Sequence, residues 1–518
     1  MSRNPRHPCQ AAVIDVGSHA VRMDIFEAGA EGHPVLLESL SRPVDLGREV
    51  FHRGAVSPEG MSLLSGIMAS FRDKLDEYRI TDVRAIATSA LREAFNGELV
   101  TDRLRYLTGI DIEILESTQE IRFVYLEMRA ELAKRMDFGA LHGITVVIGA
   151  GSLFAAYFEH GLMRFCEELP TGTDRLPESG GESGGGISGQ IVSRLRAAGL
   201  RRRLCECVEF AADTPVTLFP LGEAARAVAG MLGCAPKDAW DIREAPPEQA
   251  WQLVRLLASE PVRSLAERLG ISREEAENII AAAGVFNYFL ENFNCERLCF
   301  PGVTTRSAVI GELVRKNREP ERASFDADLA AICRAIGRRY ACDAGHAEST
   351  ALLADALWCK LRSHHALPER SRALLGAAAR LHDVGRFVDS RRHHRHSHYI
   401  ISNLQIPGMI GEELKIVAAT AFYHRKSDPD AAHREFGELA PESRVTVLKL
   451  AAILKAADAL DCSRRNRFAN MKLNISGNEL IVTPRTAETD IEREALARKS
   501  GLFSRVFGLN IRIGEVEL

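Results

Sequence analysis

The fold is decided by the stretch Ala11–Glu27, whose sequence is AAVIDVGSHAVRMDIFE. Apolar residues lead into and out of a short polar turn at Asp15–His19, so two β-strands joined by this turn are predicted. A turn that contains Gly17 and Ser18 leaves backbone N–H groups free, and such concavities bind phosphate. The same residues are also typical of an ordinary hairpin turn, and the stretch alone does not decide between the two.

A second hairpin of the same design lies further along the chain. Ile144–Ile148 is predicted as a strand, Gly149–Ser152 as a glycine-rich turn and Leu153–Phe158 as a returning strand. Between the two hairpins a helical pattern begins at Pro58, and Ser57 is placed to cap it. Strands that alternate with helices are typical of α/β domains.

Length and composition describe a globular protein of several domains. The 518 residues suggest three or four domains, and 46% hydrophobic and 26% charged residues are ordinary for such a chain. A net charge of −4 provides no general basic field for nucleic acid. The eleven cysteines lack the doubled spacing of a zinc site, and neither a signal peptide nor a membrane-spanning apolar run is evident. Free thiols and a cytoplasmic location are therefore expected.

The character of the chain changes twice after the α/β segments. From about residue 323 it is helical and rich in histidine, and from about residue 466 it returns to short strands. We therefore expect four domains: two α/β lobes at residues 1–125 and 126–320, an all-helical domain at 321–465 and a small α+β domain at 466–518.

Eight motifs occur in collinear order along the chain. The first four are VIDVGSHAVRM, ATSALREAFNGE, STQEIRFVY and VVIGAGSLFAAY, and the last four are LHDVGRF, HHRHSHYI, FYHRK and ILKAADALD. Together they resemble the exopolyphosphatase and guanosine pentaphosphate phosphohydrolase (Ppx/GppA) family over nearly the whole chain. The resemblance implies a two-lobed, actin-like α/β module of the sugar kinase superfamily with a phosphate cleft between the lobes. It further implies an all-α HD-like domain and a small C-terminal domain.

The resemblance implies that phosphate is bound by three loops, at residues 15–22, 89–96 and 149–152, called here the first, second and third loop. The residues concerned are Asp15, Gly17, Ser18, Arg22, Ser89, Arg92, Asn96, Gly149, Gly151 and Ser152. Arginine can bind phosphate oxygens through two parallel hydrogen bonds, and the start of a helix favours anions. Taken singly, Arg92 and Ser89 are more often a surface arginine and a helix cap.

Glu120 falls where the family has its catalytic base, and a carboxylate there can orient and deprotonate water. Gln119 stands where the family has a second glutamate. The stretch Ser117–Glu120 also fits a capping box, which requires a glutamate at its last position for helix formation alone. The residues by themselves favour the cap and the resemblance favours catalysis, so both interpretations stay open.

The third loop departs from the family pattern. Val147 and Phe154 stand where the family has acidic residues that assist Mg²⁺ and water, and Ala150 replaces a glycine. Neither valine nor phenylalanine supplies an oxygen ligand for a divalent cation. A Gly-Gly-Thr stretch of the family is replaced by Pro220–Ala224. We therefore expect a cleft that binds phosphate, has a degenerate Mg²⁺ site and hydrolyses weakly.

The same resemblance implies a metal site in the helical domain. The residues concerned are His346, His382, Asp383, His396, His424 and Asp458. Imidazole and carboxylate ligands from separate helices suit a divalent metal such as Mn²⁺ or Zn²⁺, and such an ion can activate water for attack on a phosphoester or anhydride. Because sixteen histidines produce accidental patterns, His393, His394 and His398 are expected only to cap, pair or bind anions.

Three functions remain open at this point. The first is a phosphoanhydride hydrolase that releases terminal phosphate from polyphosphate or guanosine pentaphosphate, with Glu120 as the base. The second is a binding protein of low or no activity that senses either ligand, and the third is a metal-dependent phosphohydrolase acting through the helical domain. A homodimer is expected, and neither a membrane nor a specific nucleic acid is expected as a partner. The residues do not choose between polymer and nucleotide.

Overall fold

A computed structural model describes residues 10–28, 34–175, 186–208, 213–315, 320–409, 411–425, 427–485 and 488–515. The chain divides into two compact units, of which the first ends at Glu321 and the second comprises Glu206–Val208 and the chain from Arg322. Among the helices of the described ranges, none combines the length and hydrophobicity that a bilayer crossing requires.

The first sheet of the first unit begins with the hairpin predicted from the opening stretch. Its strands, over the described residues, are β1 (Gln10–Val16), β2 (Ala20–Ala28), β3 (Pro34–Pro43), β4 (Asp82–Ala87) and β5 (Ile112–Ile114). Their order in the sheet is β3-β2-β1-β4-β5. β1 and β2 are antiparallel, and β4 lies parallel to β1 on its other side.

Five helices accompany this sheet within the described residues: α1 (Leu46–Arg53), α2 (Pro58–Glu77), α3 (Ser89–Glu93), α4 (Gly97–Thr108) and α5 (Ser117–Leu132). The predicted start of α2 is confirmed, because the Ser57 side chain accepts a hydrogen bond from Gly60 N at 3.0 Å. Leu64 and Phe71 of this helix pack with Ile14 of β1 in one buried core. The apolar face of α2 thereby covers the sheet.

The second sheet repeats the plan of the first. Its strands, in the part of the chain described, are β6 (Gly143–Ile148), β7 (Leu153–Glu159), β8 (Leu162–Leu169), β9 (Val216–Leu221), β10 (Ile242–Ala245) and β11 (Cys295–Pro301). Their order is β10-β11-β9-β6-β7-β8, so that β6 and β7 occupy the places that β1 and β2 have in the first sheet. The two predicted hairpins are confirmed as equivalent elements of two related sheets.

Further helices follow in this unit; several pack around the second sheet, and the last packs instead against α5 and β1. They are α6 (Gly186–Ala198), α7 (Leu200–Cys207), α8 (Glu223–Met231), α9 (Pro247–Ser259), α10 (Val262–Leu269), α11 (Arg273–Asn292) and α12 (Thr305–Arg315). α11 begins with a reciprocal capping box between Ser272 and Glu275. Its apolar residues, including Phe286 and Phe289, are fully buried, which makes α11 an internal helix.

The second unit is helical and then ends in a small sheet, as predicted. Its helices are α13 (Pro320–Arg339), α14 (Ala344–Lys360), α15 (Arg362–His365), α16 (Arg370–Leu381), α17 (His393–Ser402), α18 (Gly411–Phe422), α19 (Arg434–Gly437) and α20 (Pro441–Leu460). The end of the chain forms β12 (Lys472–Ser476), β13 (Glu479–Thr483), α21 (Asp490–Lys499), α22 (Gly501–Phe507) and β14 (Asn510–Ile513). α20 is buried along most of its second half and forms the centre of the unit.

The third loop is held by the segment that follows β8. Thr173 N donates to Gly149 O at 3.1 Å and Asp174 N donates to Ala150 O at 2.9 Å. A Cβ atom on Gly172 would lie 2.0 Å from Ala150 O, so this close approach of two backbone segments requires glycine.

We expect Gly172→Ala to lower the free energy of unfolding by about 1–3 kcal/mol, since the two backbones must separate to admit the methyl group. The matched control is Gly66→Ala in α2, where a Cβ meets no atom within 4 Å and stabilisation of about 0.5–1 kcal/mol is expected. Urea unfolding followed by circular dichroism measures both. A Gly172→Ala protein as stable as the wild type would contradict this account of the loop.

Candidate functional site

The first loop forms a tight turn whose serine meets the second loop. Gly17 N donates to Ala20 O at 3.0 Å, and the hydroxyls of Ser18 and Ser89 lie 3.3 Å apart. Asp15 is the next-to-last residue of β1, and its Oδ1 is buried without a hydrogen-bond partner in the described part of the chain. Burial raises the pKa of this carboxyl above its usual range. Two hydroxyls and one carboxyl with an unused oxygen are thus brought together.

The two arginines of the loops are both paired with carboxylates. Arg22 forms an ion pair with Glu223 at the start of α8. Arg92 donates through Nη1 to Leu115 O at 2.9 Å, and the same nitrogen lies 3.5 Å from Glu120 Oε2. Its Nη2 lies 3.3 Å from Glu168 Oε1 on β8, and the Arg92 side chain is 17% exposed. Three partners therefore fix the Arg92 guanidinium.

Asn96 has a different role from the phosphate contact expected of it. Its Oδ1 accepts from Val56 N at 3.0 Å and its Nδ2 donates to Val56 O at 2.9 Å. Both polar ends of the amide are used by the backbone between α1 and α2. We therefore leave Asn96 out of the proposed phosphate contacts.

The capping box of α5 is formed one residue earlier than predicted. Glu116 is the N-cap, and Gln119 Oε1 accepts from Glu116 N at 2.9 Å while the Glu116 side chain accepts in return from the backbone of Gln119. The expectation that Glu120 completes the box was wrong, because the helix begins at Ser117 and Gln119 occupies the third helical position. The cap does not use the Glu120 carboxylate.

Glu120 instead faces the other loops. Thr305 Oγ1 donates to Glu120 Oε1 at 3.1 Å, and the Glu120 side chain is 17% exposed beside Arg92. Burial raises the pKa of Glu120; Arg92 opposes this shift, and the carboxyl of Asp15 adds to it. A carboxylate with a raised pKa is a better proton acceptor near neutral pH than an ordinary glutamate.

Asp174 links the first and third loops. Gly149 N donates to Ser152 O at 2.9 Å and closes the third loop, in which Ser152 is buried. Asp174 contacts both loops, since its backbone donates to Ala150 O and its Oδ1 lies 3.2 Å from His19 Nε2. The space between these loops is called the cleft below.

A cavity of about 260 Å³ opens beside the cleft. Its lining carries both signs of charge, and includes His19, Arg48, Arg273, Asp174, Glu274 and Glu277. The mixture of charges gives this cavity no selectivity for an anion by itself.

The side chains at the two positions without acids are apolar neighbours on one sheet. Val147 and Phe154 are directly opposed on β6 and β7, and Phe154 is buried. Two carboxylates that the sequence did not single out, Glu168 and Glu223, instead reach the arginines of the loops. No motif points to either, because their approach depends on strand register and on the packing of α8.

In the second unit four helices bring predicted ligands together. His346 lies in the first turn of α14, His382 and Asp383 follow α16, His424 follows α18 and Asp458 lies in α20. Two overlapping groups have ligand atoms within 4.8 Å of one another: His346 with His382 and Asp458, and His382 with Asp383 and His424. All five side chains are buried.

Backbone carbonyls determine which imidazole nitrogens face this cluster. Nδ1 of His382 lies 2.7 Å from Ala379 O, and Nδ1 of His424 lies 2.6 Å from Ala421 O. Because a carbonyl only accepts, each Nδ1 donates, and in the neutral imidazole each Nε2 presents a lone pair. His382 Nε2 is buried and has no hydrogen-bond partner within the described ranges. Imidazoles oriented in this way through their second nitrogen are typical metal ligands.

His393 lies against two residues of the cluster, although, like His396, it belongs to neither group of potential ligands found among the described residues. His393 is buried, and its Nε2 lies 3.0 Å from His424 Nε2 and 3.3 Å from Asp383 Oδ1. His396 is half-buried. The motif HHRHSHYI does not say which of its histidines faces α18, since the packing of α17 decides this.

Cationic side chains offset the buried carboxylates of the cluster. Lys499 of α21 forms an ion pair with Asp458, and Arg386 and Arg464 lie 3.0 and 3.2 Å from Asp383 Oδ2. Burial acts to raise the pKa of Asp458, but Lys499 and His346 outweigh it and hold that pKa well below the usual range. Asp458 is therefore ionised, as a metal ligand must be.

Comparisons with known proteins connect both units to one family. The family model described as "Ppx/GppA phosphatase family" matches residues 25–317, which is more than half of the chain. The model described as "Ppx/GppA phosphatase, domain III" matches residues 331–499.

Relatives and a solved structure agree with these matches. The chain is 22% identical over 515 residues to guanosine-5'-triphosphate,3'-diphosphate pyrophosphatase of Photobacterium profundum, with 93% of each chain covered. It is 26% identical over 279 residues to exopolyphosphatase 1 of Mycobacterium tuberculosis, covering 52% of this chain and 78% of that protein. The crystal structure of an exopolyphosphatase from Cytophaga hutchinsonii shares the fold, with a TM-score of 0.50, 16% identity and coverage of 59% of this chain and 98% of that one.

Mutations at the start of α5 test which residue caps the helix, because the cap residue Gln119 and the neighbouring carboxylate of Glu120 can be changed one at a time. Gln119→Ala should lower the free energy of unfolding by about 1 kcal/mol, because it removes one half of the capping box. Glu120→Gln should leave stability unchanged or raise it, because it removes a buried charge and keeps an acceptor for Thr305. Thermal unfolding of the two variants beside the wild type tests this. An unchanged stability in Gln119→Ala would contradict the assignment of the cap to Gln119.

Proposed function

This chain belongs to the Ppx/GppA phosphatase family, and we propose that it hydrolyses phosphoanhydride bonds, releasing terminal phosphate from polyphosphate or from guanosine pentaphosphate. The observation that carries the proposal is the position of Glu120. Its carboxylate is not used by the helix cap and lies partly buried beside Arg92. Ser18 and Ser89 of the first and second loops meet within 3.3 Å in the same unit.

The chain's own groups bind the end of the substrate. The hydroxyls of Ser18 and Ser89 donate to phosphate oxygens, and Arg22 and Arg92 offer paired N–H donors. The backbone N–H of Gly151 and the hydroxyl of Ser152 complete the contacts from the loops. Gly17 and Gly149 donate their N–H groups within their own turns, so we propose that these two glycines shape the loops around the phosphate. Arg22 and Arg92 exchange part of their pairing with carboxylates for the substrate.

Glu120 takes a proton from the attacking water. Burial and the neighbouring Asp15 raise its pKa, so that it accepts this proton more readily than an exposed glutamate. Thr305 and Arg92 fix the carboxylate by contacts of 3.1 and 3.5 Å. The water is thereby held on the side of the phosphate that faces α5.

Mg²⁺ fits this site in part. Asp15 and Glu120 provide carboxylate oxygens, and Asp15 Oδ1 has no partner within the described ranges. Val147 and Phe154 provide no ligand, which is why we expect slow turnover. When bound with the substrate, Mg²⁺ would offset the charge that develops on the phosphate oxygens.

Activity assays on two variants test the assignment. We expect phosphate release from polyphosphate or guanosine pentaphosphate to fall at least about 100-fold in Glu120→Ala, the usual contribution of a general base. Asp383→Ala, in the second unit, should leave this release unchanged. The rate should rise with pH through a pKa above that of an ordinary glutamate, because only the ionised base is active. Loss of release in Asp383→Ala and not in Glu120→Ala would place the chemistry in the second unit instead.

A second function is favoured by the buried cluster of the second unit. His382 and His424 present Nε2 lone pairs beside Asp383 and Asp458, a ligand set that suits Mn²⁺ or Zn²⁺. Together with His346 and His393, they would make this unit an HD-like metal site. A metal bound there would activate water, giving the chain a separate phosphohydrolase activity.

Metal binding distinguishes His393 from His396, which both lie in α17. Added Mn²⁺ or Zn²⁺ should raise the thermal midpoint, because the metal binds the folded form. At a metal concentration 100 times the Kd, the free energy of unfolding should rise by about 2.7 kcal/mol. His393→Ala and Asp383→Ala should abolish the shift, and His396→Ala should leave it unchanged. Metal analysis of the purified protein and a thermal shift series measure this. Equal loss in His396→Ala would contradict the role given to His393.

Three further predictions accompany these functions. We propose the division into lobes at residues 1–125 and 126–320, a helical domain at 321–465 and a small domain at 466–518. A homodimer and a cytoplasmic location also stay predictions, which light scattering and cell fractionation test.

A further inference from the structure

Three residues form one row across the antiparallel strands of the second sheet. Val147 on β6 is directly opposed to Phe154 on β7, and Phe154 is directly opposed to Glu168 on β8. Directly opposed side chains of antiparallel strands lie on the same face, with Cβ atoms about 4.5–5.5 Å apart. The first two positions of this row, 147 and 154, lack the acids that the family pattern leads us to expect. Glu168 is the next side chain along the same row.

The Glu168 carboxylate reaches the same guanidinium as Glu120. Glu168 Oε1 lies 3.3 Å from Arg92 Nη2, and Glu120 Oε2 lies 3.5 Å from Arg92 Nη1. The side chains of Glu168 and Glu120 are 16% and 17% exposed, so neither is a fully solvated surface group. A carboxylate from β8 and the proposed base from α5 thus share one arginine.

We propose that Glu168 supplies a further carboxylate of the cleft beside Asp15 and Glu120, in place of the acid absent at Phe154, for the divalent cation that accompanies a phosphoanhydride. The inference rests on the proposed function. Its physical basis is that the acid lies on β8 instead of β7, one strand further along the row, and therefore stays on the same face of the sheet. Oxygen ligands are what Mg²⁺ requires, and glutamate provides them where phenylalanine cannot.

The neighbouring residue provides a matched control. Successive side chains of a strand point to opposite faces, so Glu167 lies on the other face of β8. Its carboxylate is 2.8 Å from Arg203 Nη1. Glu167→Gln and Glu168→Gln therefore remove the same charge from adjacent positions, and only the second alters the cleft.

The experiment measures binding of imidodiphosphate, a phosphoanhydride analogue that resists hydrolysis, by titration calorimetry with and without Mg²⁺. The quantity compared is the gain in affinity that Mg²⁺ produces. We expect Glu168→Gln to reduce this gain by about 10- to 100-fold, the range typical when a residue that supports a metal is lost. Glu167→Gln should keep the full gain, and the exchange variant Phe154→Glu/Glu168→Gln should recover most of it.

Glutamine keeps an acceptor for Arg92, so Glu168→Gln is expected to fold, which circular dichroism checks. The titrations are repeated in the Asp383→Ala background to remove ions bound by the second unit. An unchanged gain in Glu168→Gln, an equal loss in Glu167→Gln, or a wild type in which Mg²⁺ produces no gain would each overturn the inference.

Failure of the proposed function is distinguishable from failure of this inference. A wild type that releases no phosphate but loses its Mg²⁺-dependent gain only in Glu168→Gln would refute hydrolysis and support the role of Glu168. Phosphate release that depends on Glu120, with a gain that is independent of Glu168, would support hydrolysis and refute the role of Glu168.

Discussion

The cleft depends on the guanidinium of Arg92. Its side chain joins three elements that are distant in the sequence: the backbone at Leu115, Glu120 in α5 and Glu168 in β8. Planar donors in a fixed fork hold several oxygens in defined directions, whereas the three donors of a lysine ammonium group rotate on a flexible chain. Without this cation, two poorly solvated carboxylates would lack their shared counter-ion, and the free energy of keeping both ionised would rise.

The two units balance buried acids in opposite ways. In the first, burial raises the pKa values of Asp15 and Glu120, which leaves them ready to accept a proton or a cation. In the second, burial acts in the same direction on Asp383, but His382, His424 and Arg386 outweigh it and lower its pKa. The first arrangement is typical of a base, and the second is typical of a preformed ligand set.

The departures from the family pattern take on a different meaning once strand register is known. In the sequence alone, Val147 and Phe154 indicate the loss of a metal site. In the sheet, these two residues are directly opposed on neighbouring strands, and Phe154 is in turn directly opposed to Glu168. A residue type missing from a motif can therefore be supplied by a neighbouring strand, because a sheet places residues distant in sequence within one side chain's length of each other.

The sequence by itself determined the repeated hairpins, the cap at Ser57, and the succession of α/β, helical and small α+β segments. These follow from local patterns, since hydrophobic periodicity and turn residues act over a few neighbouring positions. Only the tertiary structure decided that the cap of α5 uses Gln119 and leaves Glu120 available, that Asn96 binds backbone, and that His393 lies against His424. It also decided that Glu168 approaches Arg92. These outcomes depend on where a helix starts to within one residue and on which strands are opposed, and packing between distant segments sets both.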